Sequence, residues 1–501
     1  MKKLTLTACA VLVAGAAILS GGCNDSNASK SGSFLYYHPD EFSPAAEDTS
    51  DQTLVTGEST TVDKATRMLA RQYDATQRAR YQAAAAPKLD PPLASAEDIK
   101  AAEARVDELR GSVKKAKNGA IIGIVVESQD LNLEDMKLFG RLADLESFAC
   151  VGENVTDELF AQFKDLKKLK NIRVQNSMIT TETIELFATF PELETLDIRR
   201  NLQLENSDLA IVATYPKLKK LGAYYNSFTN SGVIRISKST TITSVDFRGC
   251  PDISDSSAKY LARMEQLEEV FFRFGITNTG VEHLAGAPNL KFVEFQDCLI
   301  DNDCAPTFAQ YPSLEGLRIF RCNSFTNDGV KELANLKVER LELRDLSASD
   351  EGVLPLKDMT TLKTVELSEL DITSDTINTL VSAPGWSGMT SLSFFSVPVT
   401  DEVAKSIAAN MKGLESITIR AAGNVSDAAL EELAKIDTLT TIDLRENAGF
   451  TIDGFMKLAN LKNLRRIYVK GTAFGDSSPE VSAKWEEFKK INPRCEITTA
   501  G

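Results

Sequence analysis

Histidine is almost absent from this chain, with only His38 and His283 in 501 residues. That scarcity removes the commonest general base and metal ligand, and no Ser/His/Asp or Cys/His arrangement can be assembled. There is no G-x-x-x-x-G-K-[ST] loop and no G-x-G-x-x-G turn to cradle a phosphate. Asp301-x-Asp303 lacks the rest of an EF-hand loop and is expected to cap a helix. After Leu19 no apolar run approaches the ~20 residues of a spanning helix. A basic surplus is missing as well: 56 Lys and Arg face 71 Asp and Glu, for a net charge of −15 and a pI near 4.9. Nucleic acid is therefore not an expected partner, and neither an enzyme activity, a cofactor nor a metal is expected.

What is present is a repeat. From Ile121 to Val469 an apolar triplet recurs fifteen times at positions i, i+3 and i+5, mostly at steps of 23 to 25 residues. Leu145/Phe148/Cys150, Leu193/Leu196/Ile198, Val338/Leu341/Leu343 and Leu464/Ile467/Val469 are examples, and Leu392/Phe395/Val397 fills the twelfth place after a 30-residue step. Residues two apart in a strand share a face, so each triplet reads as a short strand buried on one side. Behind it comes a polar pair such as Thr156-Asp157, Ser254-Asp255 or Ser426-Asp427, whose oxygens accept from the free N–H groups of the following helix. Apolar residues at helical spacing follow, as in Ile276/Val281/Leu284. One such coil cannot bury its own face, so neighbours must stack. A helix is ~10 Å wide and strands lie ~4.8 Å apart, so the stack curves with its sheet on the concave side.

The pattern L-x-x-L-x-L-x-x-N/C resembles the leucine-rich-repeat signature, most closely that of the ribonuclease-inhibitor-like class. At i+8 stand Asn201, Asn226, Asn447, Cys250, Cys298 and Cys322, which the resemblance assigns to hydrogen bonds with turn backbone. Glu153, Gly275, Leu346, Leu370 and Thr472 depart from it, so less regular turns are expected there. The implied fold is an α/β leucine-rich-repeat solenoid of about 15–16 coils, a horseshoe with a parallel concave sheet and convex helices. The resemblance also implies a protein-binding function.

Residues 1–22 read as a lipoprotein signal peptide: Lys2 and Lys3, an apolar run to Leu19, then Ser20-Gly21-Gly22-Cys23. This resembles the bacterial lipobox apart from Ser20, and assigns Cys23 to lipidation, with an ordinary secretory signal peptide or an uncleaved membrane anchor as the alternatives. A lipid on Cys23 implies membrane anchoring in a bacterial cell envelope, periplasmic or surface-exposed. Residues 23–94 are expected to be a tether with one helix over 62–86. The stripe Ile99, Val106, Leu109 and Val113 predicts a capping helix within 95–120, with a short coiled coil with a partner as the alternative. Residues 121–501 form the repeat domain, with Trp485, Phe488, Ile491, Cys495 and Ile497 in a C-terminal cap from about 478. Cys298 and Cys322 fall at one position of adjacent coils, as two buried thiols or a disulfide. Cys304 takes the small-residue place held by Gly280 and Gly329, with a size constraint or a reactive thiol as alternatives.

The register that buries i+3 and i+5 points i+4 and i+6 out of the concave sheet. Carboxylates dominate one column and arginines the other, with pairs expected between Asp246 and Arg248 or Arg273, and between Glu342 and Arg344 or Arg318. In the middle of the array Tyr224, Tyr225, Phe271, Arg273, Phe274, Phe292, Arg318, Phe320 and Arg321 cluster, a composition suited to a protein or peptide partner. Alternatively these rings cover one another, the face binds an envelope glycan, or the solenoid is a spacer without a specific ligand. Trp386, in the insertion after Leu380, is either an exposed contact or folded back over the helices.

Overall fold

The computed structural model describes residues 94–475 and 478–499. The expected signal peptide, Cys23, the tether and its helix over 62–86 lie outside the described residues. One sheet of seventeen strands organises everything else. Its sixteen parallel members, β2 (Ile121–Val126) to β17 (Glu496–Thr498), follow one another in chain order. Pairing is without stagger: Leu317 sits between Val293 and Leu341, and Ile442 between Ile417 and Ile467. Every i+3 residue therefore stacks on the i+3 residue of the next coil. That is the repeat's own register expressed as a ladder, and its inner face is one continuous core. Helices such as Thr181–Phe187 and Asn278–Leu284 form the convex layer. Where Pro306 and Pro355 enter this layer, tighter 3₁₀ turns at Asn302–Gln310 and Leu354–Asp358 replace the α-helix, since proline lacks the needed N–H.

The twelfth coil corrects the sequence reading. Leu392 pairs with Val365 and Ile417, so it occupies i+3, and the triplet is Met389/Leu392/Phe394. Met389 and Phe394 are fully buried while Phe395 turns to the concave side. Leu392/Phe395/Val397 satisfied the same spacing by chance, and only one of two adjacent phenylalanines can face the core. The inserted length shrinks to a 27-residue step from Leu362 to Met389.

At i+7 the backbone enters the left-handed region in fourteen successive coils, from Gly152 to Gly471, and eleven of these residues are not glycine. The departures at i+8 do not break this. Asp345 before Leu346 and Glu369 before Leu370 have φ near 50°, like their neighbours, so the expected irregularity is not found there, whereas Gly152 before Glu153 opens to φ 140°. Where i+8 is polar it satisfies the turn. Asn226 donates to the carbonyls of Ile198 and Ala223 at 3.0 and 2.7 Å, and its Oδ1 accepts from the Asn201 amide at 2.7 Å. The Cys250 thiol donates to the Ala223 carbonyl at 3.3 Å.

The polar pairs before the helices work only partly as expected: Ser426 accepts from the Ala428 amide of its own helix, whereas the side chains of Thr156 and Ser254 make no such bond. The serine or threonine is the N-cap, and the following Asp or Asn reaches sideways to the next coil. Asp157 accepts from the Thr180 amide and hydroxyl at 2.9 and 2.8 Å. Asp255 does the same to Thr277 at 2.8 and 2.7 Å, and Asp350 to Thr373 at 2.7 and 2.9 Å. The reach also explains Gly280, where an added Cβ would collide with the Asp255 carboxylate.

The two ends are closed unequally. Helix α1 (Ala96–Glu108) starts at a capping box between Ser95 and Asp98 and buries Ala102 and Val106 on the first coil. It stops short of the expected range: Val113 belongs to β1 (Ser112–Lys115), which runs antiparallel to β2. The hairpin signal Asn118-Gly119 was there to be read, and Gly119 supplies φ 87°. At the far end the helix Pro479–Ile491 buries Phe488 against Phe455 at 4.6 Å. Ile491, expected in the cap, is half exposed, whereas Ile497 pairs with Ile467 as a sixteenth coil. Among the described residues no helix is long and apolar enough to cross a membrane.

Candidate functional site

The concave face is assembled from side chains that leave adjacent strands ~4.8 Å apart, so long groups on neighbouring coils must meet. Arginine forks onto the aspartate two residues earlier in its own strand. Arg248 holds Asp246 through Nε and Nη2 at 3.0 and 2.7 Å, and Arg445 holds Asp443 in the same way. Arg199 and Asp197 repeat the arrangement. Arg248 also donates to Glu294 at 2.8 Å. Arg318 lies among Glu294, Glu342 and Glu366 at 3.5, 3.2 and 3.9 Å. Glu342 is shared with Arg340 at 2.5 Å and not with Arg344, which reaches Glu369 instead. Burial pushes the carboxyl pKa values of Glu294 and Glu366 upward, against the downward pull of the nearby arginines.

The i+6 column alternates cations with rings. Tyr224 lies under Arg199 at 4.3 Å and near Arg248 at 5.8 Å. Phe320 is held between Arg321 at 4.2 Å and Arg344 at 4.6 Å. Phe395, placed in the core by the sequence reading, sits between Arg344 and Arg420. Its signal was the double phenylalanine, read in the wrong frame.

The predicted site residues are brought together, but mostly under cover. Tyr224 and Phe292 are 8% exposed, Arg318 7% and Phe320 3%. Phe271 packs on Phe292 at 5.5 Å, and Arg340 covers the latter ring at 4.6 Å. Inward curvature closes guanidinium groups over the rings, so these four are not exposed anchors. Burial raises the Tyr224 phenol pKa, with the Asp197 charge adding to it. Tyr225, Arg273, Phe274 and Arg321 lie at the rim. Arg273 donates to Asp297 at 2.6 Å and to the Tyr225 hydroxyl at 3.0 Å, and Arg321 donates to Asp297 at 2.6 and 2.9 Å. Two guanidiniums on one carboxylate hold the Asp297 pKa below its ordinary value, although burial opposes them. Phe274 is 40% exposed and Leu299, which the sequence reading passed over, is 70% exposed. Together with Arg273, Asp297, Arg321 and Asn323 they line a shallow groove of about 510 Å³. Leu299 stands at i+9, a position the in-or-out alternation of a strand does not govern.

Four other expectations meet the structure here. Cys298 and Cys322 are buried thiols donating to carbonyls, with no disulfide between them. Cys304 is buried and its pKa is pushed up to about 12, opposite to an activated thiol. Trp386 is fully buried, its indole N–H donating to the Leu356 carbonyl at 2.9 Å, so the insertion folds back. Asp301 caps its helix, accepting from the Asp303 amide at 3.0 Å.

A parallel sheet on the inner arc, helices outside and a polar or thiol ladder at i+8 define the fold as a leucine-rich-repeat solenoid. The family described as Leucine Rich repeat matches residues 238–262, the strand and helix of the sixth coil. No curated protein matches the sequence. Among solved structures, the yeast Rad7 and Elc1 complex is similar at 15% identity, covering 89% of this chain and 99% of that one, with a TM-score of 0.48. A Leptospira interrogans leucine-rich-repeat protein gives 17% identity, 72% and 80% coverage and a TM-score of 0.32. An internalin from Listeria monocytogenes gives 14% identity, 82% and 98% coverage and a TM-score of 0.32.

Proposed function

We propose that this chain is a non-enzymatic, lipid-anchored protein of a bacterial cell envelope, and that its concave face and rim bind a protein or peptide partner. The observation that carries the reading is the groove around Phe274 and Leu299. Exposed apolar side chains stand there among arginines fixed in place by Asp297. Fixed charges and rings lose little freedom on association, so less of the contact energy is offset by ordering. The pattern of charge and apolar surface fits a peptide surface better than a small molecule, which would want an enclosed pocket.

The test follows from exposure. Replacing Phe274 and Leu299 with Ser leaves the core intact, and partners crosslinked to the native protein in membranes are expected to be lost. Unchanged capture by the folded variant would overturn the proposal. Anchoring is tested separately: Cys23→Ser is expected to move the protein from the membrane fraction to the soluble one.

A further inference from the structure

The rim of the groove carries the wrong charge for this chain. In a protein of net charge −15, positions i+6 to i+9 of coils four to nine contain Arg199, Arg200, Arg248, Arg273 and Arg321 but one acid, Asp297. Strand carboxylates neutralise Arg199 and Arg248. Arg273 and Arg321 share Asp297, while Arg200 lies over the Tyr225 ring at 4.9 Å. Asp345 stands one coil further on. Three exposed apolar side chains line the same rim: Leu202 at 67%, Phe274 at 40% and Leu299 at 70%. A ligand matched to this strip is extended, acidic and aromatic.

The chain contains one such segment. Between Phe34 and Asp51 lie Phe34, Tyr36, Tyr37 and Phe42, with Asp40, Glu41, Glu47, Asp48 and Asp51, and no Lys or Arg. Reach is ample. The residues from Asp51 to Ala94 span up to about 140 Å when extended. The rim near β9 (Phe292–Gln296) is seven strand spacings from β2, about 34 Å.

We infer that residues Phe34–Asp51 dock in cis on the Phe274–Leu299 rim, their carboxylates facing Arg200, Arg273 and Arg321 and their rings covering the exposed side chains. The segment then competes with any partner for the groove. The inference rests on the same groove as the proposed function, but it is tested on the chain alone, so either can fail without the other. The experiment uses the full chain with benzoylphenylalanine in place of Phe42, irradiated at low concentration and mapped by mass spectrometry. Crosslinks are expected within one chain, at Leu202, Phe274, Leu299 and their neighbours. The triple variant Asp40→Lys, Glu41→Lys, Asp48→Lys leaves the solenoid untouched, and is expected to lower their yield about tenfold, as for one or two lost charge-assisted bonds. Crosslinks spread evenly over the solenoid would overturn the inference. So would crosslinks found only between isotopically distinct chains, or a yield indifferent to the charge reversal.

Discussion

At the scale of the residue, the fold depends on single positions held in unusual states. Ala421 has φ 50°, a conformation that costs a residue with a Cβ but not glycine. Ala421→Gly is expected to stabilise the protein by about 0.5–1 kcal/mol in urea titration, against the usual loss for such a change. Asp297 is the residue whose charge the rim depends on. Its folded pKa is lowered below the ordinary 3.8, so its contribution is present above that value and lost as pH falls through the folded pKa. Asp297→Asn is therefore expected to be less stable than the native protein at pH 7. Thermal melts at decreasing pH check this, because the difference closes once the native carboxylate protonates. The inward residues of most coils were legible from the triplet, since period two decides which face a side chain takes. Which tips meet was not: Arg340 over Phe292 and Arg273 on Asp297 depend on curvature and on the turn, and neither is written in alternation.

At the scale of the element, a coil is specified by more than its triplet. Leu392-Ser393-Phe394-Phe395-Ser396-Val397 fits the pattern in two frames, and the second was settled by the pairing of Leu392 with its neighbours. The insertion ahead of it is held by Trp386, whose ring fills the helix layer and whose N–H finds the Leu356 carbonyl. Trp386→Ala opens a cavity and leaves that carbonyl without its donor, with an expected cost of about 3–5 kcal/mol by chemical denaturation. The side chains after the N-caps show the same limit of sequence reading. Asp157 and Asp255 were recognisable as helix-start residues, but a capping pattern does not say which helix start. The ladder they form runs parallel to the sheet, so neighbouring helix starts are tied together independently of strand pairing.

At the scale of the whole molecule, stability is a sum over coils and the interfaces between them, and the ends are where it is thinnest. Phe488 is the buried plug of the C-terminal end, and losing it exposes Phe455 behind it. Phe488→Ala is expected to raise hydrogen exchange about tenfold or more in the last two coils, as for ~1.4 kcal/mol or more of local stability, while the central coils keep their protection. Uniform deprotection along the array would show that the solenoid melts as one unit.

The unequal ends also bear on assembly. A sheet of parallel coils is a ready monomer for a fibre, since the last strand of one molecule could receive the first strand of the next in register. Here β1 runs against the others and lies over β2, so the leading edge offers an antiparallel strand bearing Lys114 and Lys115 in place of another parallel rung. The trailing edge, β17, is three residues long. The two described edges are therefore not in-register continuations of one another, and a parallel head-to-tail rung between copies finds no matching strand at the leading edge.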